Sequence, residues 1–190
     1  MRKGFLHTLI VCLILAVSVG FGFLFDFMLT RSEYRKYPQD YAEEVSEYAD
    51  LCGIPRSLLY AVIHTESGFA ASLASEDGAV GLMQITKETY GKICDLLPDG
   101  ATTDPAVLYD PEVNVKSGAY WLQYLYIRYG SWDTALAAYR VGTDTVDAWL
   151  ADETLTDKDG ALVKIPDAEV TSYLSRIQKT RAVYERLYGL

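Results

Sequence analysis

A single carboxylic acid, Glu66, stands where an amphipathic helix is expected to bury hydrocarbon. Leu58 and Val62 precede it at spacings of four, and Ile63 precedes it by three, which puts them on its helical face. Burial penalises the charged form of a carboxyl group and raises its pKa, as a general acid for glycosidic cleavage requires. The same spacing also fits a second interpretation, in which Glu66 ends the helix and turns to solvent near Gly68.

The elements that must position this acid are predicted to be helical nearly throughout. Capping residues, glycines and prolines delimit predicted helices over 40–51, 55–68, 86–97, 111–129, 131–140, 144–150 and 167–187. Residues 69–83 and 152–166 are predicted loops. Alternating strand patterns are almost absent, so we expect a mainly α fold with at most a small β-hairpin near residue 75.

The N-terminal segment has the composition of a transmembrane helix. From Phe5 to Phe25 about twenty residues carry no charged side chain, enough to span a bilayer. The bulky end of this run is unlike a signal-peptide cleavage site, so we predict one uncleaved N-terminal transmembrane helix. Arg2 and Lys3 favour a cytoplasmic N-terminus, although basic residues also follow the run. We expect a membrane anchor over 1–26, a juxtamembrane linker over 27–39, and a helical domain over 40–190 outside the cytoplasm.

Charge and cysteine content exclude some classes of function. The formal net charge is −9 and the basic residues are scattered, so no nucleic-acid-binding surface is expected. Two histidines and three cysteines without metal-ligand spacing predict no metal site. Cys52 and Cys94 either pair in an oxidising compartment or remain free thiols, and we favour free thiols.

Three further motifs follow HTESGF (64–69) in order: SEDGAVGLMQIT (75–86), ALAAYRVG (135–142) and IPDAEVTSYLSRI (165–177). The series resembles the catalytic domain of soluble and membrane-bound lytic transglycosylases. That family's pattern is Glu-Ser, Gly-Leu-Met-Gln, Ala-Tyr-Asn, and a C-terminal Glu-Thr with a tyrosine a few residues on. The resemblance covers about residues 40–188 and implies a goose-type-lysozyme-like fold acting on peptidoglycan.

The resemblance implies that Glu66 is the single catalytic residue. It would protonate the glycosidic oxygen between MurNAc and GlcNAc, then act as base on the C6 hydroxyl of the same MurNAc, giving a 1,6-anhydro product. The Tyr139 hydroxyl is implied to reach toward Glu66. The positions implied to bind substrate are Ser67, Ser75, Gln84, Tyr139, Arg140 and Glu169. No cofactor is implied, because the chemistry needs only carboxyl and hydroxyl groups.

Two of these positions have simpler interpretations. Ser67 is also a common type of residue at the C-terminal end of a helix. Glu169 in the first turn of a helix is favoured by the helix dipole without any role in binding. The motif leaves both interpretations open.

Arg140 stands where the family has asparagine. A cation within about 4–6 Å of Glu66 would lower the pKa of its carboxyl and weaken it as an acid. Alternatively, the guanidinium turns outward and pairs with a lactyl or stem-peptide carboxylate, for which its planar fork is suited. We favour the outward orientation.

Two other functions fit the same chain. A lysozyme-type hydrolase would need a second acid to activate water. The candidates are Glu76 and Asp77, in the motif loop of residues 75–86. We expect both to be solvated loop charges. A non-catalytic peptidoglycan-binding component of the envelope is the remaining alternative, with Arg140 as a sign of lost activity.

Overall fold

The computed structural model describes residues 2–97 and 102–190, and for residues 2–14 and 16 it describes the backbone alone. The chain divides into two units, Met1–Pro38 and Gln39–Leu190. The first consists of helix α1, Arg2–Lys36. Residues 27–36, expected to belong to a linker, are helical because no glycine or proline interrupts them before Pro38.

Among the described residues, no helix is both long enough and apolar enough to cross a membrane. Most of the run from Phe5 to Phe25, which carries the predicted anchor, lies outside the residues whose side chains are described.

The second unit is helical, as predicted. Its described elements are α2 (Ala42–Cys52), α3 (Arg56–Glu66), α4 (Lys87–Cys94), a 3₁₀ helix (Pro105–Tyr109), α5 (Pro111–Tyr129), α6 (Trp132–Val141), α7 (Thr143–Leu150) and α8 (Ala168–Tyr188). Helix α4 ends at Cys94, three residues before the end expected at residue 97, and Asp95 follows it as the C-cap. The stop signal from Pro98 to Gly100 lies outside the described residues. In place of a full hairpin, the described loop residues form isolated antiparallel bridges between Ala74 and Val80 and between Val80 and Ile85.

Side-chain caps begin the helices where the sequence predicts them. Asp110 accepts a hydrogen bond from the Val113 amide at the start of α5, and Ser131 caps α6 in the same way. Asp167 accepts from two amides of α8. Pro55 is a small correction, because it lies just before α3 instead of in its first turn. Its extended backbone conformation is common for proline ahead of a helix.

Helix α3 is the central element of the core. Every residue from Ser57 to Ile63 is buried, and Leu58 and Val62 are fully inaccessible to solvent. The helix packs against α8 and α2, while α5 packs against α6 and α2. The apolar face predicted for α3 therefore faces neighbouring helices, and its last residue, Glu66, is held at the edge of the core.

Cys52 and Cys94 are free thiols. Cys52 is buried in α2, and burial raises the pKa of its thiol to about 11. A thiol that stays protonated at neutral pH is a poor nucleophile, so Cys52 acts as a small apolar residue of the core.

Candidate active site

Glu66 is the last residue of α3, and the chain turns sharply just beyond it. Gly68 and Phe69 both have positive φ angles, 57° and 69°. This conformation is strained for phenylalanine, whose ring is nevertheless buried. The turn sends the chain into the loop of residues 70–86, so that the carboxyl group and the loop lie side by side.

A turn at Gly81 to Gln84 forms the part of the loop next to Glu66. The buried Asn114 side chain accepts a hydrogen bond from the Met83 amide at 2.8 Å. Its amide nitrogen donates to the carbonyls of Val80 at 3.0 Å and Leu108 at 2.8 Å. One side chain of α5 therefore satisfies three backbone groups and fixes the loop, since buried polar backbone atoms must find partners.

Gly81 is required at this turn for two reasons. Its φ angle is 80°, and a Cβ atom there would lie 2.6 Å from the Leu108 carbonyl oxygen as well as against the Asn114 side chain. Only glycine allows the backbone to approach so closely in this conformation.

The loop and helices α3, α5, α6 and α8 enclose a cavity of about 540 Å³. Its volume is within the range of small-ligand sites. The lining residues that bear on function are Glu66, Ser75, Asp77, Gln84, Trp121, Tyr139, Arg140, Tyr173 and Arg176. The cavity therefore brings together the motif loop of residues 75–86 with Glu66 and Arg176, which are 110 positions apart in sequence.

The pKa of Glu66 is raised above its ordinary value, mainly because burial disfavours the charged carboxylate. A hydrogen bond from Tyr173 and the positive charges of Arg140 and Arg176 act in the opposite direction, but burial outweighs them. The predicted environment for a general acid is therefore present. The alternative, in which the side chain escapes to solvent, does not match its position on the cavity wall.

Tyr173 of α8, and not Tyr139, holds the Glu66 carboxyl. The Tyr173 hydroxyl donates a hydrogen bond of 2.6 Å to Glu66 Oε1. The Tyr139 hydroxyl, expected to reach toward Glu66, instead donates to the Met83 carbonyl oxygen at 2.6 Å. The turn at Gly81 to Gln84 directs the Met83 carbonyl toward α6. The Tyr139 hydroxyl has one proton to donate, and the bond to Met83 uses it.

Burial raises the pKa of both tyrosines well above the ordinary value, and the nearby Glu66 charge adds to the effect. Both hydroxyls therefore keep their protons at neutral pH and act as hydrogen-bond donors. Tyr139 still lines the cavity beside Glu66, where its ring can contact a ligand.

Gln84 and Ser75 both line the cavity, as their motif predicts. Gln84 has a φ angle of 48°, and its amide nitrogen donates to the carbonyls of Gly81 at 2.9 Å and Leu73 at 3.2 Å. Ser75 Oγ accepts a hydrogen bond from the Ala79 amide at 3.0 Å. These bonds leave the Gln84 carbonyl oxygen and the Ser75 hydroxyl proton as the groups available to a ligand.

Ser67 and Glu169 do not line this cavity. The Ser67 hydroxyl donates to the Leu82 carbonyl oxygen at 2.7 Å, which ties the end of α3 to the loop. Glu169 lies exposed in the first turn of α8 and lines a second cavity of about 410 Å³. For Ser67 this arrangement matches the helix-end interpretation, since its proton is used within the protein.

Arg140 is exposed and turned toward α8. The carbon of its guanidinium group lies 5.7 Å from the centre of the Tyr173 ring, in a cation–π contact. It lines the second cavity as well as the first. The positive charge of the guanidinium lowers the pKa of Glu66, but burial raises it by more. Among the described residues, no salt bridge joins Arg140 to Glu66.

Sequence reasoning missed four residues at the site: Asn114, Trp121, Tyr173 and Arg176. Tyr173 was detectable, because it is the tyrosine that follows the C-terminal glutamate in the family pattern. Asn114 gave a weaker signal, as one amide among the apolar positions of a helix. Trp121 and Arg176 reach the cavity only through the packing of α5 and α8, which no local pattern encodes.

Comparison with known proteins adds to this geometry. The family model described as "Transglycosylase SLT domain" matches residues 44–161. The chain is 29% identical over 156 residues to the soluble lytic murein transglycosylase of Escherichia coli K12, covering 81% of this chain and 24% of that protein. It is 27% identical to the membrane-bound lytic murein transglycosylase C of Edwardsiella ictaluri, covering 80% of this chain and 48% of that protein.

Solved structures show the same similarity. The 70 kDa soluble lytic transglycosylase of Escherichia coli superposes with a TM-score of 0.74 at 28% identity, over 83% of this chain and 26% of that one. An inactive glutamate-to-glutamine variant of the lytic transglycosylase Slt of Pseudomonas aeruginosa gives 0.68 at 26% identity, over 79% and 24%. This chain spans about a quarter of the length of these proteins. The expectation of a lysozyme-like helical domain is confirmed.

Proposed function

This chain belongs to the transglycosylase SLT domain family, and on that premise we propose that it is a peptidoglycan lytic transglycosylase. It cleaves the β-1,4 bond between MurNAc and GlcNAc and forms 1,6-anhydro-MurNAc. The observation that carries the proposal is the Glu66 carboxyl, which lines a cavity of substrate size with a raised pKa and a fixed orientation. Curated relatives named lytic murein transglycosylases support it.

The proposed mechanism uses Glu66 first as an acid and then as a base. The protonated carboxyl gives its proton to the glycosidic oxygen as the bond from that oxygen to C1 of MurNAc breaks. The carboxylate left behind accepts the proton of the C6 hydroxyl, and O6 forms the new bond to C1. One group serves both steps best when its pKa is close to the working pH. Burial raises the pKa of Glu66 toward that range, while the Tyr173 hydrogen bond and the neighbouring cations limit the rise.

Tyr173 is a positioning residue in this mechanism. Its hydrogen bond holds Glu66 Oε1, which leaves Oε2 as the oxygen that exchanges the proton with substrate. Ser75, Gln84, Tyr139 and Trp121 supply polar and aromatic contacts along the cavity wall. Aromatic rings and hydroxyl or amide groups are the usual means of holding a sugar in place.

Digestion of purified peptidoglycan by the full chain, with product masses measured, tests the proposal. Wild-type protein is expected to release fragments with anhydro-MurNAc ends, and Glu66→Gln is expected to release none. Fragments with reducing ends would instead establish a hydrolase. That alternative has one specific observation in its favour, because the Asp77 carboxyl lines the same cavity while Glu76 does not. An inactive wild type that still binds glycan would establish the non-catalytic alternative.

We also propose that α1 anchors the domain in the cell membrane in a single pass, with the catalytic domain on the extracytoplasmic side where peptidoglycan lies. The support is the uncharged run from Phe5 to Phe25 and the exposure of its described apolar side chains, such as Phe21 and Phe23 at 69% and 74%. The full chain should sediment with membranes and be released by detergent but not by high salt. Release by salt alone would contradict the anchor.

A further inference from the structure

Two arginines of the second unit line the same two cavities. They are Arg140 on α6 and Arg176 on α8. The first cavity holds Glu66, and the second, of about 410 Å³, is lined by the arginines with Ala168, Glu169 and Ser172. Because the two cavities share these two lining residues, a group bound in the second cavity would lie near a sugar bound in the first.

The positive charges of both arginines act on the Glu66 carboxyl, but burial outweighs them and keeps its pKa raised. Within the described part of the chain, no salt bridge joins Arg140 or Arg176 to a carboxylate, although Arg56, Arg128 and Arg181 each have one. This includes Glu169, which lines the same second cavity. Two unpaired cations in a chain of net charge −9 are expected to attract an anionic ligand.

The helical geometry of α8 directs these groups to one face. Ser172 and Arg176 are four residues apart, and Tyr173 and Arg176 are three apart, so they are neighbours on the helix surface. The carbon of the Arg140 guanidinium lies over the Tyr173 ring, 5.7 Å from its centre. A guanidinium group carries a planar set of N–H donors, which suits the two oxygens of a carboxylate.

We propose that Arg140 and Arg176 form a substrate-specificity site that binds a carboxylate attached to the MurNAc residue being cleaved. The inference rests on the proposed function, because the substrate carries a carboxylate close to the scissile bond only if it is peptidoglycan. Two sources share this chemistry: the lactyl group of MurNAc that carries no peptide, and the acidic groups of a stem peptide. The two guanidinium groups and the Ser172 hydroxyl, all of which line the second cavity, are donors that suit either one.

Four glycan substrates separate the sources. Peptide-free chains with free lactyl carboxylates are compared with the same chains after coupling to methylamine, which makes a neutral amide. Chains with intact stem peptides are compared with chains whose peptide carboxylates have been amidated in the same way. For each pair, the ratio of kcat/KM for the charged substrate over the neutral one measures recognition of the carboxylate.

In the wild-type full chain, the ratio for at least one pair should be about tenfold, as expected for charge-assisted hydrogen bonds. The double variant Arg140→Gln/Arg176→Gln should bring that ratio close to one. Glu169→Gln should increase it, because a negative charge beside the site is removed. Lys179→Gln, an exposed cation on α8 outside both cavities, is the matched control and should keep the wild-type ratio.

The substrate pair whose kcat/KM ratio falls in the double variant identifies the source of the carboxylate. A wild-type ratio near one for both pairs, or a ratio that persists in the double variant, would overturn the proposal. Isothermal titration of Glu66→Gln with the same four substrates gives a second readout that needs no turnover. If the wild type cleaves nothing but charged chains bind more tightly than neutral ones, the proposed function fails and the carboxylate site stands.

Discussion

The Tyr173 hydroxyl donates a 2.6 Å hydrogen bond to Glu66 Oε1 and so joins α8 to the end of α3 across 107 residues of sequence. The hydrogen bond lowers the pKa of Glu66 while burial raises it. It also distinguishes the two carboxyl oxygens, since Oε1 accepts this bond and Oε2 does not. The acid strength and the orientation of the Glu66 carboxyl therefore depend on the packing of two helices distant in the chain.

Tyr173→Phe should reduce kcat/KM roughly tenfold or more, because a hydrogen bond to a charged group contributes about 1.5–3 kcal/mol. Loss of a contact that lowers the pKa of Glu66 should raise that pKa further. The acid then stays protonated to higher pH, so the alkaline limb of the pH–rate profile should move upward. Tyr48→Phe is the control, since its hydroxyl donates to Glu112 at 3.2 Å away from the cavity. An unchanged alkaline limb in Tyr173→Phe would contradict the assignment.

Tyr139→Phe should act on stability more than on acid strength. It leaves the Met83 carbonyl oxygen without the 2.6 Å hydrogen bond that it receives from Tyr139. A buried polar atom without a partner costs about 1–3 kcal/mol, measurable by urea denaturation. The alkaline limb of the pH–rate profile should stay where the wild type has it. A stability equal to that of the wild type would show that the Tyr139 hydrogen bond has little structural value.

Glu66→Gln should abolish anhydro-product release and change how stability depends on pH. A carboxyl with a raised pKa in the folded state favours folding at low pH, and that contribution is lost as the pH rises through the raised value. Wild type and variant should therefore melt together near pH 4, and the variant should melt higher at pH 8. Each kcal/mol of difference would shift Tm by about 2–4 °C.

The control for this comparison is Glu76→Gln, which neutralises an exposed acid of the loop. It should show no such divergence between the two pH values. A Glu66→Gln variant that melts lower than the wild type at pH 8 would mean that the fold stabilises the carboxylate. That result would contradict a raised pKa for Glu66.

Gly81→Ala should destabilise the loop by about 3 kcal/mol or more. A methyl group would meet the Leu108 carbonyl at 2.6 Å, and alanine is strained at a φ angle of 80°. Gly78→Ala separates the two effects, because its φ angle of 78° is nearly the same and nothing lies within 4 Å. Gly78→Ala should cost only about 1–2 kcal/mol for the backbone strain. Equal losses for the two variants, measured by denaturation, would rule out the steric role of Gly81.

Much of the fold was predictable because its signals are local. The caps at Asp110, Ser131 and Asp167 start helices where expected, since a side-chain oxygen next to free amides acts within one turn. The buried face of α3 followed from the spacing of Leu58 and Val62 in the same way. These signals depend only on residues three or four positions apart.

The sequence by itself determined that Glu66 sits at the end of an apolar helical face and that the motif loop follows it, because periodicity and glycine positions are properties of the chain. Only the tertiary structure decided which tyrosine holds Glu66. Both tyrosines belong to the motifs, but helical periodicity does not say which of the two hydroxyl groups reaches Glu66. Their hydroxyl partners depend on where α6 and α8 pack against the loop and α3, and hydrogen bonds form only where that packing brings donor and acceptor within about 3 Å.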